Sequence, residues 1–300
     1  MRFELEVQLE AKTYGYAIAF ELPEGSKELR VFDERLSVDG NPVYSRGVSQ
    51  GILARSGQEK EPNFLIEEHM AALPIIQHKS EQDPLFVFRQ WLARALLLRP
   101  IPNLIHGTSG LETLQPDIQA TNFASWFTTL LTSWPSAYSK VDAYLRQMMP
   151  DLKNIENQFF GINARRLVVH FSNGQGSASL PFEDLSDGEK CFMICAVVLA
   201  ANETYGPLLC FWDEPDNYLS LSEVGHFVLA LRRAFQTGGQ FIATSHNSEA
   251  IRRFSDENTL VLLRRNHLEP AIVRPLSELR ASGELSGDLI ESLITGDLEP

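Results

Sequence analysis

Two consecutive carboxylates, Asp213 and Glu214, close the apolar run Leu208-Leu209-Cys210-Phe211-Trp212 and are followed by Pro215. Such a run suits a strand buried on both faces, and open parallel sheets take their ligands at the C-terminal ends of their strands. One carboxylate there can hold the shell of a hard divalent cation. Its neighbour can polarise a water as general base, a task worth about a hundredfold to ten-thousandfold in rate. An acidic turn ahead of a proline looks the same without any chemistry, so the pair takes its meaning from its surroundings.

Two further segments supply those surroundings. Leu185-Ser186-Asp187-Gly188-Glu189-Lys190 opens a helix, with Asp187 and Gly188 in its first turn. Unpaired backbone N–H groups and the positive end of the helix dipole point outward together there, and an anion is their natural partner. The same residues also fit a capping box, Ser186 at the N-cap and Glu189 at N3, which needs no ligand. The two readings are compatible. The box leaves Gly188 unexplained, since glycine in a helix costs about 1 kcal/mol relative to alanine. Downstream, a strand at 240–243 runs into Thr244-Ser245-His246-Asn247 and brings His246 to the same sheet edge as Asp213 and Glu214. A lone histidine after a strand is usually a loop residue or a cap.

The elements that position these residues follow from periodicity. Phe3, Leu5, Val7 and Leu9 alternate with polar residues, Tyr16, Ile18, Phe20 and Leu22 do so again, and 28–32 reads as another strand after a turn at Pro23-Glu24-Gly25. This is an antiparallel meander. Over 64–149 the pattern becomes helical, with helices expected at 84–98 and 135–149 between Pro- and Gly-bearing loops. Strands return at 167–171 and 177–182. Then helix 187 to about 202, strand 207–212, helix 221–236, strand 239–244, helix 247–253 and strands near 258–264 and 269–274 alternate, which predicts a mainly parallel sheet with helices on its faces. The domain expectation is a β meander at 1–63, a helical lobe at 64–155 and an α/β lobe at 156–300.

Composition bounds the classes. The 300 residues are 44% hydrophobic, enough for a substantial core. A net charge of −13 argues against a generally basic nucleic-acid-binding surface. The pairs Arg165-Arg166, Arg232-Arg233, Arg252-Arg253 and Arg264-Arg265 punctuate separate elements and read as solvated ends. Cys191, Cys195 and Cys210 lie in apolar stretches and read as buried, reduced thiols rather than a zinc site. With no leader pattern and no apolar run near the roughly twenty residues of a membrane span, the expectation is a soluble cytoplasmic protein with no membrane partner.

In order and spacing the three segments resemble the signature loop, Walker B strand and switch histidine of an ABC-class ATPase. Across most of its length the chain is similar to the AAA-type ATPases related to recombination, structural-maintenance-of-chromosomes (SMC) and overcoming-lysogenization-defect proteins, many of them bacterial defence components. The resemblance is strongest over 185–247 and extends to Phe32-Asp33-Glu34-Arg35-Leu36 and to 116–127. It implies an α/β P-loop NTPase fold, ATP and Mg2+ as cofactors, and a homodimer that sandwiches ATP. It also implies roles: Asp213 on the magnesium shell, Glu214 as general base, and His246 orienting the γ-phosphate and the water. Ser186, Asp187, Gly188 and Glu189 would face the γ-phosphate held by the opposing subunit, and Asp216 and Asn217 fall at the D-loop. Asp216-Asn217-Tyr218-Leu219-Ser220 lacks the family's frequent Leu-His-Pro ending. For the magnesium-binding glutamine, Gln50 and Gln77 are the candidates.

One part of the family pattern has no counterpart. No Gly-Lys pair occurs in the 300 residues, so no G-x-x-x-x-G-K-[ST] phosphate loop can be written, and Met1 falls inside the meander that follows that loop in relatives. Two functional classes stand. One is part of an ATP-driven dimeric switch, in a setting such as DNA repair or anti-phage defence, with a nuclease or other effector as partner. The other is a non-hydrolysing interaction module that offers its signature helix to a partner ATPase. A nuclease in its own right finds little support, because Asp288, Glu291 and Asp297 read as solvated charges. The resemblance also implies that, without the phosphate-loop strand, 240–243 becomes a sheet edge carrying Phe241, Ile242 and Ala243.

Overall fold

The computed structural model describes residues 1–53, 63–161, 164–264, 266–281 and 289–295. The expectations for Arg265, Asp288 and Asp297 fall outside them. The chain divides into two compact units, Met1–Ala93 and Arg94–Pro300.

The first unit holds six strands and a helix: β1 (Arg2–Leu9), β2 (Lys12–Glu21), β3 (Arg30–Val38), β4 (Asn41–Arg46), β5 (Gln50–Leu53), β6 (Asn63–Leu65) and α1 (Pro84–Leu92). The strands form one antiparallel sheet in sequence order, the meander expected from the period-two alternation. Asp83 starts α1 by accepting a hydrogen bond from the Leu85 amide at 3.0 Å, with Pro84 pre-set for the first turn. The helix then lays Leu85 and Phe88 against Tyr14, Leu36 and Tyr44, and the Tyr14 and Phe88 rings stack at 6.0 Å.

One charge lies in that core. Glu34, fully buried, accepts from Tyr44 Oη at 2.7 Å, Tyr16 Oη at 3.1 Å, and the amides of Ala72 and Leu73 at 2.6 and 3.0 Å. Four donors replace the water that a buried carboxylate gives up. Burial and the nearby carboxylate push the Tyr16 and Tyr44 hydroxyls well above the ordinary tyrosine range.

The second unit begins with β7 (Leu96–Leu98), β8 (Thr108–Ser109), α2 (Phe123–Ser133) and α3 (Ala137–Met148), then β9 (Leu152–Phe160), β10 (Ala164–Ser172) and β11 (Ser177–Pro181). It continues with α4 (Asp187–Thr204), β12 (Leu209–Asp213), α5 (Leu221–Gln236), β13 (Gln240–Thr244), α6 (Ser248–Phe254), β14 (Leu260–Leu263), β15 (Ile272–Pro275), α7 (Leu276–Ala281) and α8 (Leu289–Thr295). Helix α4 is apolar on every side and is buried along most of its length, as a helix must be when it runs through a core. Its Cys191 and Cys195 are free and buried, and burial pushes both thiols up to about 12.

The expectation of a mainly parallel sheet is corrected here. The parallel pairings among the described residues are β12 with β13 and β12 with β7, in a three-stranded sheet ordered β13-β12-β7. The strands β8 to β11 pair antiparallel, as do β14 and β15. The helix expected over 84–98 ends at Leu92, and Leu96-Leu97-Leu98 is a strand with its outer leucines buried and Leu97 about half exposed. Three apolar residues are too few for their period to separate strand from helix. Pro100 restricts Arg99 to extended backbone and suits a strand end. Within the same sheet β13 has β12 as its neighbour and forms the opposite end.

The described arginines of the four pairs lie at exposed or partly exposed positions, and several of them make surface contacts. Arg166 meets Glu183 at 3.4 Å, Arg232 meets Asp256 at 2.6 Å, Arg252 meets Glu291 at 2.8 Å and Arg253 meets Glu249 at 2.8 Å. Arg165 lies over the Phe159 ring, 4.5 Å from its centroid. Among the described residues no helix is long and apolar enough to cross a membrane.

Candidate functional site at the edge of the parallel sheet

The C-terminal ends of β7, β12 and β13 lie side by side, and each delivers a polar residue. Parallel register sets Asp213 opposite Thr244 and Trp212 opposite Leu98, so Arg99 is the next residue on the Asp213 level. The Thr244 hydroxyl donates to Asp213 Oδ1 and accepts from the Glu214 amide at 3.0 Å. A single hydroxyl thereby fixes one oxygen of Asp213 and the backbone of Glu214. On the other side, Arg99 Nε lies 3.4 Å from Asp213 Oδ2.

Glu214 is bent out of the strand. Its φ of 50° is left-handed backbone, which costs a residue with a Cβ roughly 1–2 kcal/mol. Its carboxylate is held at both oxygens: His246 Nδ1 is 3.0 Å from Oε1, and Asn217 Nδ2 donates to Oε2 at 2.5 Å. His246 is otherwise open to solvent. Asn247 is a cap, as a residue after a strand often is: its side chain accepts from the Glu249 and Ala250 amides at the start of α6.

Behind this shell lies Asp216, only 2% exposed. Its Oδ2 accepts from Ser245 Oγ at 3.0 Å, and its Oδ1 is buried with no hydrogen-bond partner. Burial, outweighing the Ser245 hydrogen bond, raises this carboxyl above its ordinary value of 3.8.

The first turn of α4 meets the same turn of chain from another direction. The capping box is formed: the Glu189 carboxylate accepts from the Ser186 amide and hydroxyl, both at 2.7 Å, and the Glu189 amide donates to Ser186 Oγ at 3.3 Å. A Cβ at position 188 would lie 3.1 Å from the Tyr218 carbonyl oxygen, tighter than ordinary packing. Gly188 therefore has a reason within the chain, since it lets the helix start close against the 216–219 turn. The buried Lys190 donates to the Pro102 carbonyl at 3.3 Å and ties the same helical turn to the segment that follows Arg99.

Asp213, Glu214, Asn217 and His246 thus form one contact cluster with Thr244 and Arg99 added. Asp216 joins it through Ser245, and Ser186 to Glu189 adjoin it through Tyr218. Gln50 lies on β5 and Gln77 follows Ile76, both in the first unit. Thr244 and Arg99 were missed from sequence. The signal for Thr244 was its place level with Asp213 in two parallel strands. For Arg99 it was an Arg-Pro step after three leucines.

Among the described residues no group of three or more His, Cys, Asp or Glu side chains is placed to cage a metal ion. Asp213, with one half-free oxygen, suits a cation that arrives with most of its shell already made of water and phosphate oxygens. That is how Mg2+ is usually held, and the donor set fits it in that sense.

Open α/β sheets bind their ligands at this edge. Residues 1–252 match the family described as "AAA domain, putative AbiEii toxin, Type IV TA system", and the chain belongs to that family of AAA-type ATPase domains. A search of curated proteins gave no match. Among solved structures the chain is similar to an SMC head bound to the C-winged helix domain of ScpA, with 13% identity, a TM-score of 0.47, and 89% of this chain and 76% of that one covered. It is also similar to a structure described under ATP-driven dimerization and DNA-stimulated activation of SMC ATPases (14%, 0.39, 53% and 99%). A third is the SMC head domain with a coiled coil and joint from Pyrococcus yayanosii (14%, 0.42, 60%), of which the chain spans 32%. At these scores the likeness is weak, and the family match carries the assignment.

Proposed function

We propose that the edge formed by Asp213, Glu214 and His246 is the hydrolytic half of an ATP site in a nucleotide-gated dimeric switch. The observation that carries the reading is the restraint on Glu214, whose strained backbone and doubly held carboxylate put a base one residue beyond a cation-binding aspartate. Bound Mg2+ would neutralise phosphate charge at Asp213. Glu214 takes a proton from the attacking water, and His246 keeps the carboxylate aimed and presents its other ring nitrogen outward. Asn217 holds the second oxygen and prevents the side chain from turning away. The first turn of α4, Ser186 to Glu189, faces the γ-phosphate of ATP on a second subunit and offers it the Asp187 and Gly188 N–H groups, which the capping box does not use. Asp216 and Asn217 belong to the turn that lines this junction. SMC and overcoming-lysogenization-defect ATPases are the model for such a cycle, in a role such as DNA repair or anti-phage defence with a nuclease or other effector as partner.

The 300 residues contain no Gly-Lys pair, so the phosphate-gripping loop has to come from other residues, either of the same polypeptide or of a partner. The second reading, an interaction module that lends its α4 helix to a partner ATPase, differs in that last point. In a protein where a G-x-x-x-x-G-K-[ST] loop and its strand precede this chain, Glu214→Gln should bind ATP and accumulate as a dimer. Sizing by light scattering with and without ATP tests this. A monomer under both conditions would reject the switch, and a dimer formed only with a separate loop-bearing protein would select the module.

A further inference from the structure

Among the described residues Arg99 is the one cation in contact with Asp213, and it reaches there by construction. Strand β7 pairs with β12 in parallel register, Leu98 opposite Trp212, so the residue after β7 emerges level with Asp213. Its amide donates to the Ile118 carbonyl at 2.6 Å, which fixes the backbone, while its side chain is 69% exposed. Asp213 Oδ1 is taken by Thr244, and Oδ2, the oxygen left for a cation, faces the Arg99 guanidinium at 3.4 Å. An arriving divalent ion and this guanidinium therefore compete for one oxygen.

We infer that Arg99 is a positioning residue that occupies the metal-binding oxygen of Asp213 and must be displaced before a divalent cation is held. The inference rests on the reading of Asp213 as the magnesium aspartate. Exposure makes the ion pair weak and easily exchanged, and a guanidinium prefers the paired oxygens of a phosphate to a single carboxylate oxygen. A polyphosphate that brings its own cation draws Arg99 away at the moment the oxygen is needed. The cation alone has to compete. Metal loading is in this way coupled to the arrival of phosphate.

Mn2+ binding to the 300-residue chain, followed by the electron paramagnetic resonance signal of free Mn2+, tests this without turnover. Arg99→Ala should bind Mn2+ about three- to tenfold more tightly than the unsubstituted chain, the size expected for removing one cation at contact distance in a solvent-exposed site. Arg99→Lys, which keeps the charge, should stay close to the unsubstituted chain, and Asp213→Asn should abolish the difference. With saturating inorganic tripolyphosphate present, the advantage of Arg99→Ala should disappear or reverse. If Asp213→Asn weakens Mn2+ binding but Arg99→Ala leaves it unchanged, the role of Arg99 is wrong and the reading of Asp213 stands. If Asp213→Asn and Arg99→Ala both bind as the unsubstituted chain does, the reading of Asp213 fails and the inference falls with it. An advantage of Arg99→Ala that persists undiminished in tripolyphosphate overturns the coupling.

Discussion

Glu34 lies within a strand and Glu214 directly after one, and the surroundings of each define opposite uses of a carboxylate. Glu34 is fully enclosed, lies on ordinary strand backbone and receives four hydrogen bonds from two tyrosines and two amides. Every one of those partners is a fixture of the first unit, and the carboxylate joins the meander to the 72–73 segment. Glu214 sits at an edge, on left-handed backbone, and is held by two exposed side chains, His246 and Asn217. Next to it, Asp216 keeps a buried oxygen with no partner. The chain satisfies the buried Glu34 completely, leaves the buried Asp216 under-satisfied and sets the partly exposed Glu214 on strained backbone, and the latter two sit in the cluster proposed to act on ATP. Full satisfaction fits a structural role for Glu34. Left-handed backbone alone does not set Glu214 apart, since the turn residues Glu10 and Asp39 share it; what sets Glu214 apart is the strain together with its place beside Asp213, His246 and Asn217.

The contrast breaks most visibly at Glu34. Glu34→Ala leaves two hydroxyls and two amides buried without an acceptor, and should cost the first unit about 3–5 kcal/mol. Urea unfolding followed by tyrosine fluorescence measures it, and a loss under about 1 kcal/mol would remove the structural role. Glu214→Gly is the opposite case. Glycine adopts φ of 50° freely, which returns the roughly 1–2 kcal/mol of backbone strain, while the partly exposed contacts with His246 and Asn217 are worth less. The variant should keep its stability or gain up to about 1 kcal/mol in thermal unfolding, and a substantial loss would show that the carboxylate is structural after all.

Asp216 is the smallest and most pH-specific case. Its folded carboxyl holds its proton to higher pH than the unfolded chain does, so its contribution is most favourable in acid. That contribution is lost as pH rises from the ordinary value of 3.8 through the folded one. At pH 7 the charged form carries an uncompensated oxygen. Asp216→Asn keeps the acceptor for Ser245 and should be more stable than the unsubstituted chain at pH 7 by on the order of 1 kcal/mol. The gain should shrink as pH falls towards 3.8, and a difference that does not change with pH would contradict the assignment.

Much of this arrangement was legible in the sequence, for definable reasons. Long amphipathic or apolar periods placed α4 and α5, and the turn chemistry and alternation placed the meander. The edge shared by Asp213, Glu214 and His246 followed from two apolar strands with a helix between them. What escaped depended on register or on through-space packing. Strand β7 is three leucines long and merged with the helix before it, so Arg99 was not connected to Asp213. Glu34 lies beyond the strand expected at 28–32, on the continuation of β3 to Val38, and its donors from Ala72 and Leu73 come from a loop with no periodic signal. Gly188, which the capping box leaves unexplained, is set by packing that no local pattern carries: a Cβ there would crowd the Tyr218 carbonyl oxygen at 3.1 Å. The antiparallel majority was missed because local alternation of strand and helix says nothing about how short strands outside it pair.

In the proposed function Glu214 is the base of an ATP site. Steady-state phosphate release, measured on a protein in which a phosphate-binding loop and its strand precede this chain, tests it most directly. Glu214→Gln should lower turnover about a hundredfold or more while ATP binding, measured by calorimetry, is unchanged, and the 300 residues alone should show no turnover above background. Turnover that survives Glu214→Gln would contradict the account.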